Sequence, residues 1–138
     1  MINLILGHKG SGKTKTLIDL VNAAAKETNG HVVCIEEKAV LTYNIDYSVR
    51  LCTANESKIK GYKAFYGYIA GIFASDNDIT DLFVDATLKI GGRDYAALAD
   101  FLADIYNLSE DLEKRVTFTI SADKDELPDS IFNFCHVL

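Results

Sequence analysis

The residues best suited to chemistry stand in one contiguous block. Residues 7–14 read Gly7-His8-Lys9-Gly10-Ser11-Gly12-Lys13-Thr14, the pattern G-x-x-x-x-G-K-[ST], directly after the apolar run Ile2-Asn3-Leu4-Ile5-Leu6. The spacing suits capture of an anion. Glycines let the backbone curl so that successive N–H groups point at one phosphate, and a helix behind them aims its positive end at the same charge. Gly7 and Gly12 permit close approach, Lys13 can set an ammonium between a β- and a γ-phosphate, and Thr14 offers a hydroxyl to Mg²⁺. A hollow of this shape kept for packing alone would leave several amides unpaired.

Such a loop needs a strand in front of it and a helix behind it. The run 2–6 supplies the strand. Residues 13–28 carry Leu17, Ile18, Val21, Ala24 and Ala25 on one helical face, and Asn29-Gly30 is a stop signal.

The block resembles the Walker A motif of the P-loop NTPase superfamily, and the resemblance extends loosely over the whole chain through its alternating strands and helices. It implies that Gly7, His8, Lys9, Gly10, Ser11, Gly12, Lys13, Thr14 and Lys15 hold ATP together with Mg²⁺. Asp81-Leu82-Phe83-Val84-Asp85 is similar to a Walker B strand, so Asp85 would share the metal with Thr14. A glutamate often follows that aspartate in ATPases of the superfamily. Here the position holds Ala86. Recombinase-like members take the base from the end of a neighbouring strand, and Val32-Val33-Cys34-Ile35-Glu36-Glu37 ends in two carboxylates. With Lys13, the resemblance therefore makes Glu36 or Glu37 the catalytic candidates. Gly91-Gly92-Arg93 reads either as a mobile loop carrying Arg93 to the γ-phosphate or as a plain strand-to-helix turn.

The resulting expectation is a Mg-ATP-binding protein with weak or partner-dependent ATPase activity. A small-molecule or nucleoside kinase and a non-hydrolysing nucleotide sensor stand as alternatives. Three scattered arginines, Arg50, Arg93 and Arg115, build a kinase lid poorly. The zinc-binding cysteines of the thymidine-kinase lid are missing too. His8 occupies the place of the signature lysine of the deviant Walker A families, which speaks against that subclass. ATP is expected over GTP, because Ala122-Asp123-Lys124-Asp125 lacks the asparagine of the guanine-reading motif and Leu88 stands where small GTPases need glycine. Likeness to the twitching-motility ATPases is loose, since their acidic and histidine boxes are not found.

The rest of the chain bounds this reading. At 138 residues it is expected to form a single domain, 1–138, burying roughly two thirds of its unfolded surface. A net charge of −6 opposes a broad nucleic-acid or membrane surface, so neither partner is expected. A protein partner or a homo-oligomer stays open. Cys34, Cys52 and Cys135 are too scattered for a metal site and read as reduced thiols of a cytoplasmic protein. The amino terminus does not read as a signal peptide, and no run reaches the roughly twenty apolar residues of a membrane span.

The expected fold is an α/β three-layer sandwich around a mostly parallel central sheet. Strands are expected at 2–6, 31–36, 48–53, 81–87 and 115–121, with a weak one at 135–138. Helices are expected at 13–28, 61–75 and 94–107, with a short one opening at Pro128; 38–60 is irregular. The aromatic stretch 61–68 reads as a core helix with surface hydroxyls or as a partner-facing patch. Asp76 and Asp78 lack calcium-loop spacing and read as solvated turn residues.

Overall fold

Continuous apolar runs become strands buried on both faces, and amphipathic stretches become the helices that cover them. The computed structural model describes residues 1–41 and 44–138. Its elements are β1 (Ile2–Leu6), α1 (Lys13–Glu27), β2 (His31–Glu36), β3 (Arg50–Thr53), α2 (Tyr62–Ser75), β4 (Ile79–Val84), α3 (Thr87–Gly91), α4 (Tyr95–Leu112), β5 (Arg115–Ile120) and β6 (Cys135–Val137). Two short 3-10 helices, Lys124–Glu126 and Asp129–Asn133, connect β5 to β6. The six strands form one sheet in the order β3-β2-β4-β5-β1-β6, and every neighbouring pair is parallel.

Alternation along the strands sorts side chains between two cores. Val33, Ile35, Leu82, Val84, Val116 and Phe118 pack against α2 and α4, while Val32, Cys34, Phe83 and Ile5 meet Leu17 and Val21 of α1. Helices thus cover both faces. No helix among the described residues is long and apolar enough to cross a membrane. The thiols of Cys34, Cys52 and Cys135 are free, and burial pushes Cys135 up to about 12.

Several boundaries differ from those expected. β4 ends at Val84 rather than at 87, because Ala86 turns into the left-handed region at φ 60° and Thr87 already begins α3. β3 starts at Arg50 rather than at 48, since the Ser48 N–H is spent on Asp46 Oδ1 at 2.9 Å. α4 runs five residues beyond 107, where Ser109 is still buried against the core. Pro128 caps a 3-10 helix. Within the irregular stretch 38–60, residues 42 and 43 lie outside the described residues.

Polar groups fasten the frame. At the amino-terminal edge of the sheet, Arg115 grips Asp81 through Nε at 2.8 Å and Nη2 at 3.2 Å. His31 Nδ1 meets Asp76 Oδ2 at 2.6 Å, so Asp76 is engaged. Asn22 of α1 donates to Asn44 O and accepts from Asp46 N–H, which holds the loop after β2 against the helix.

Candidate functional site

Because all strands run the same way, the exits of β1, β4 and β5 lie at one edge of the sheet. The glycine-rich loop leaves β1 there. Its root is tied to the exit of β5, with Gly7 N–H donating to Ala122 O at 3.0 Å. Gly7 sits at φ 143°, and a Cβ there would meet Ser11 Oγ at 2.5 Å. The loop closes on itself through Ser11 N–H and Lys13 Nζ, which both donate to His8 O, at 3.1 and 3.0 Å.

Gly12, at φ 88°, opens α1 with no side-chain cap, and the first turn holds no acid. Helices ordinarily offset the positive charge of their first amides with a capping oxygen or a carboxylate. Here the first residues are Lys13, Thr14 and Lys15. Positive potential is concentrated rather than neutralised.

A cavity of about 730 Å³ opens over this turn. His8, Lys9, Gly10, Gly12, Lys13, Thr14 and Lys15 line it from the loop and α1; Asp85, Ala86, Lys89, Arg93, Thr119 and Ser121 line it from the other strand exits. Five cationic side chains thus face one carboxylate in a chain whose net charge is −6. Partial burial lowers the pKa of Lys13 below its ordinary value, opposed by the negative charge of Asp85.

Asp85 is held by its neighbours. Its N–H donates to Ile35 O at 2.8 Å, and its Oδ1 accepts from Thr119 Oγ1 at 2.8 Å. Thr119 Oγ1 in turn accepts from Ala86 N–H at 2.8 Å. One hydroxyl therefore fixes both the carboxylate and the strained turn behind it. Thr14 Oγ1 lies 3.4 and 3.3 Å from the two Asp85 oxygens, so the expected metal pair, Thr14 and Asp85, is brought together. Both offer oxygen, the donor type that hard divalent cations take.

Other expected residues are placed differently. Gly7 and Ser11 shape the loop but do not line the cavity. Glu36 is 2% exposed, and its Oε1 accepts the N–H groups of Val40 at 2.7 Å and Leu41 at 3.2 Å. Neither Glu36 nor Glu37 lines the cavity. Glu36 is a fastener for the following loop, because a buried polar group needs hydrogen-bond partners and the two amides supply them. Arg93 does line the cavity, delivered by the Gly91-Gly92 turn at the end of α3. His8 reaches outward as well, with Nε2 3.0 Å from Asp123 Oδ2 and 2.8 Å from Glu126 Oε1.

Lys89, Thr119 and Ser121 complete the wall without having been singled out. For Thr119 a signal existed: Arg115–Ile120 alternates Val116, Phe118 and Ile120 with Thr117 and Thr119, so two hydroxyls share one face of a buried strand. Lys89 stands on the short helix α3 that opens at the left-handed Ala86, and Arg93 lies beyond that helix, after the Gly91-Gly92 turn. Compared with known proteins, the chain matches no protein-family model and no curated protein.

Proposed function

We propose that this chain is a P-loop NTPase that binds Mg-ATP in the cationic cavity and hydrolyses it slowly on its own. The observation that carries the reading is charge placement. Lys9, Lys13, Lys15, Lys89 and Arg93 converge with an uncapped helix start on one hollow of a net-acidic protein, and a polyanion of triphosphate size answers that field. Lys13, now donating to His8 O, would turn to the phosphates. Thr14 and Asp85 would hold Mg²⁺, which when bound neutralises phosphate charge. The three free thiols suit a reducing compartment, so a cytoplasmic location belongs to the proposal.

The test is a titration with ATP, GTP and their diphosphates, with and without Mg²⁺, for the parent and Lys13→Ala. Removing one charge-assisted contact is expected to weaken ATP by about ten- to a hundredfold. Equal affinity in both proteins would overturn the assignment.

A second reading, nucleotide binding without turnover, is favoured by one observation. Among the described residues Asp85 is the only carboxylate on the cavity wall, and Glu36 is committed to its own loop. Phosphate release measured across a range of protein concentrations separates the two. Release that rises with concentration supports an assembly-dependent ATPase, and ATP binding with no release under any condition supports the sensor.

A further inference from the structure

A second hollow, of about 410 Å³, lies between α2 and α4 on the face of the sheet away from α1. Tyr62, Lys63 and Tyr66 form one wall and Asp100, Phe101 and Asp104 the other. Phe101 is buried beneath it, stacked on Phe65 at 4.9 Å and tilted against Tyr62 at 5.0 Å. Asp100 and Asp104 are exposed and, among the described residues, have no cation within ion-pair distance, although Lys63 lines the same groove. Like charges at i and i+4 on a helix repel, and among the described residues no ion pair offsets this one.

The acidity continues along the helix. α4 contains Asp100, Asp104, Glu110 and Asp111 and no lysine or arginine. At 100° per residue, Asp100, Asp104 and Asp111 fall within one narrow face, spread over about 16 Å of helix. That length exceeds what one small cation can answer and matches a polypeptide bearing several. Aromatic rings beside carboxylates suit a guanidinium or ammonium on an apolar stem. A second copy of this chain, itself at −6, fits poorly.

Tyr62 joins this groove to the cavity. Its hydroxyl donates to Gly92 O at 2.6 Å, its ring lies so close to Gly91 that any side chain there would overlap it, and Gly61 N–H donates to Ile90 O at 2.9 Å. Arg93 follows directly and lines the cavity.

We propose that the α2–α4 groove docks a basic segment of a partner protein, with arginine or lysine side chains against Asp100 and Asp104. Its seating is felt at Arg93 through Tyr62, and this second half rests on the reading of the cavity as a nucleotide site.

The probe is a fluorescein-labelled, helix-forming peptide of Leu and Ala with arginines at i, i+4 and i+11, compared with the same peptide carrying glutamates, by anisotropy against the full chain. The arginine peptide is expected to bind the parent and the glutamate peptide not. Asp100→Asn with Asp104→Asn should weaken binding by about tenfold, two screened ion pairs together, whereas the charge-matched pair Glu27→Gln with Glu56→Gln should change it by less than about twofold. No binding of the arginine peptide, or an equal loss in the control pair, would overturn the docking site.

Saturating Mg-ATP should shift peptide affinity in the parent and not in Tyr62→Phe, which keeps the ring and loses the bond to Gly92. A parent that binds Mg-ATP yet shows no shift overturns the coupling. If direct titration finds no Mg-ATP binding, the nucleotide reading fails and takes the coupling with it, while the peptide results still decide the groove.

Discussion

Replacing Asp85 by Asn separates a metal-holding carboxylate from a structural one. Among the described residues Asp85 is the single negative group facing five cations on the cavity wall, and its Oδ1 already accepts a 2.8 Å hydrogen bond from Thr119. Asparagine keeps that acceptor, so the variant should fold with a loss of only about 1 kcal/mol, a charged hydrogen bond becoming a neutral one. For Mg-ATP the variant loses a charged oxygen beside Thr14, worth about 1.5 to 3 kcal/mol, or roughly ten- to a hundredfold in affinity. For ATP without metal the sign reverses, because a negative charge facing a polyanion has been removed. At several ångströms in water-like dielectric that is worth about 0.5 to 1 kcal/mol, a gain of roughly two- to fivefold. Asp85 also holds the pKa of Lys13 up against burial, so in the variant metal-free ATP binding should fade at a lower pH than in the parent. The assay is calorimetric titration with ATP in Mg²⁺ and in chelator, for parent and variant, at several pH values. Equal weakening in both media would refute the metal role and leave Asp85 structural.

Thr119→Val removes the donor to Asp85 and strands the Ala86 N–H, which should cost about 2 to 4 kcal/mol in urea unfolding; Thr119→Ser should restore most of it, and an indifferent valine variant would disprove the bridging role. Ala86→Gly should relieve the left-handed backbone and gain about 0.5 kcal/mol net of glycine's entropy, so a clear loss of stability would contradict the strain. The exposed His31–Asp76 pair should give a bell-shaped pH dependence. His31 is raised above 6.5, chiefly by its hydrogen bond to Asp76, so its contribution is full below 6.5 and is lost as pH rises through the raised value. Asp76 is lowered below 3.8, chiefly by the same bond, so its contribution is full above 3.8 and is lost as pH falls through the depressed value. The difference in unfolding midpoint between parent and His31→Ala should therefore peak between those pH values, and a flat difference would rule the pair out.

What the chain's order of residues determined by itself is local. The loop at 7–14 is contiguous, its strand and helix flanks obey short-range periodicities, and Gly7, Gly12 and the bare start of α1 are set by backbone sterics within a few residues. The parallel α/β architecture follows from the same alternation, and five strands stand close to where their apolar runs put them. The sheet order is different in kind. That β5 lies between β1 and β4, and so delivers Thr119 to Asp85, depends on which apolar faces pack together across more than a hundred residues. Glu36 shows the same limit from the other side. A carboxylate ending a strand reads as free for chemistry until the amides of Val40 and Leu41 fold back and bury it, and no periodicity records that contact. Lys89 and Arg93 join the cavity from either side of the Gly91-Gly92 turn, Lys89 on a short helix that opens at the left-handed Ala86, a residue with no intrinsic preference for that conformation. Side-chain type and spacing define what a segment can do, and long-range packing defines which segments meet.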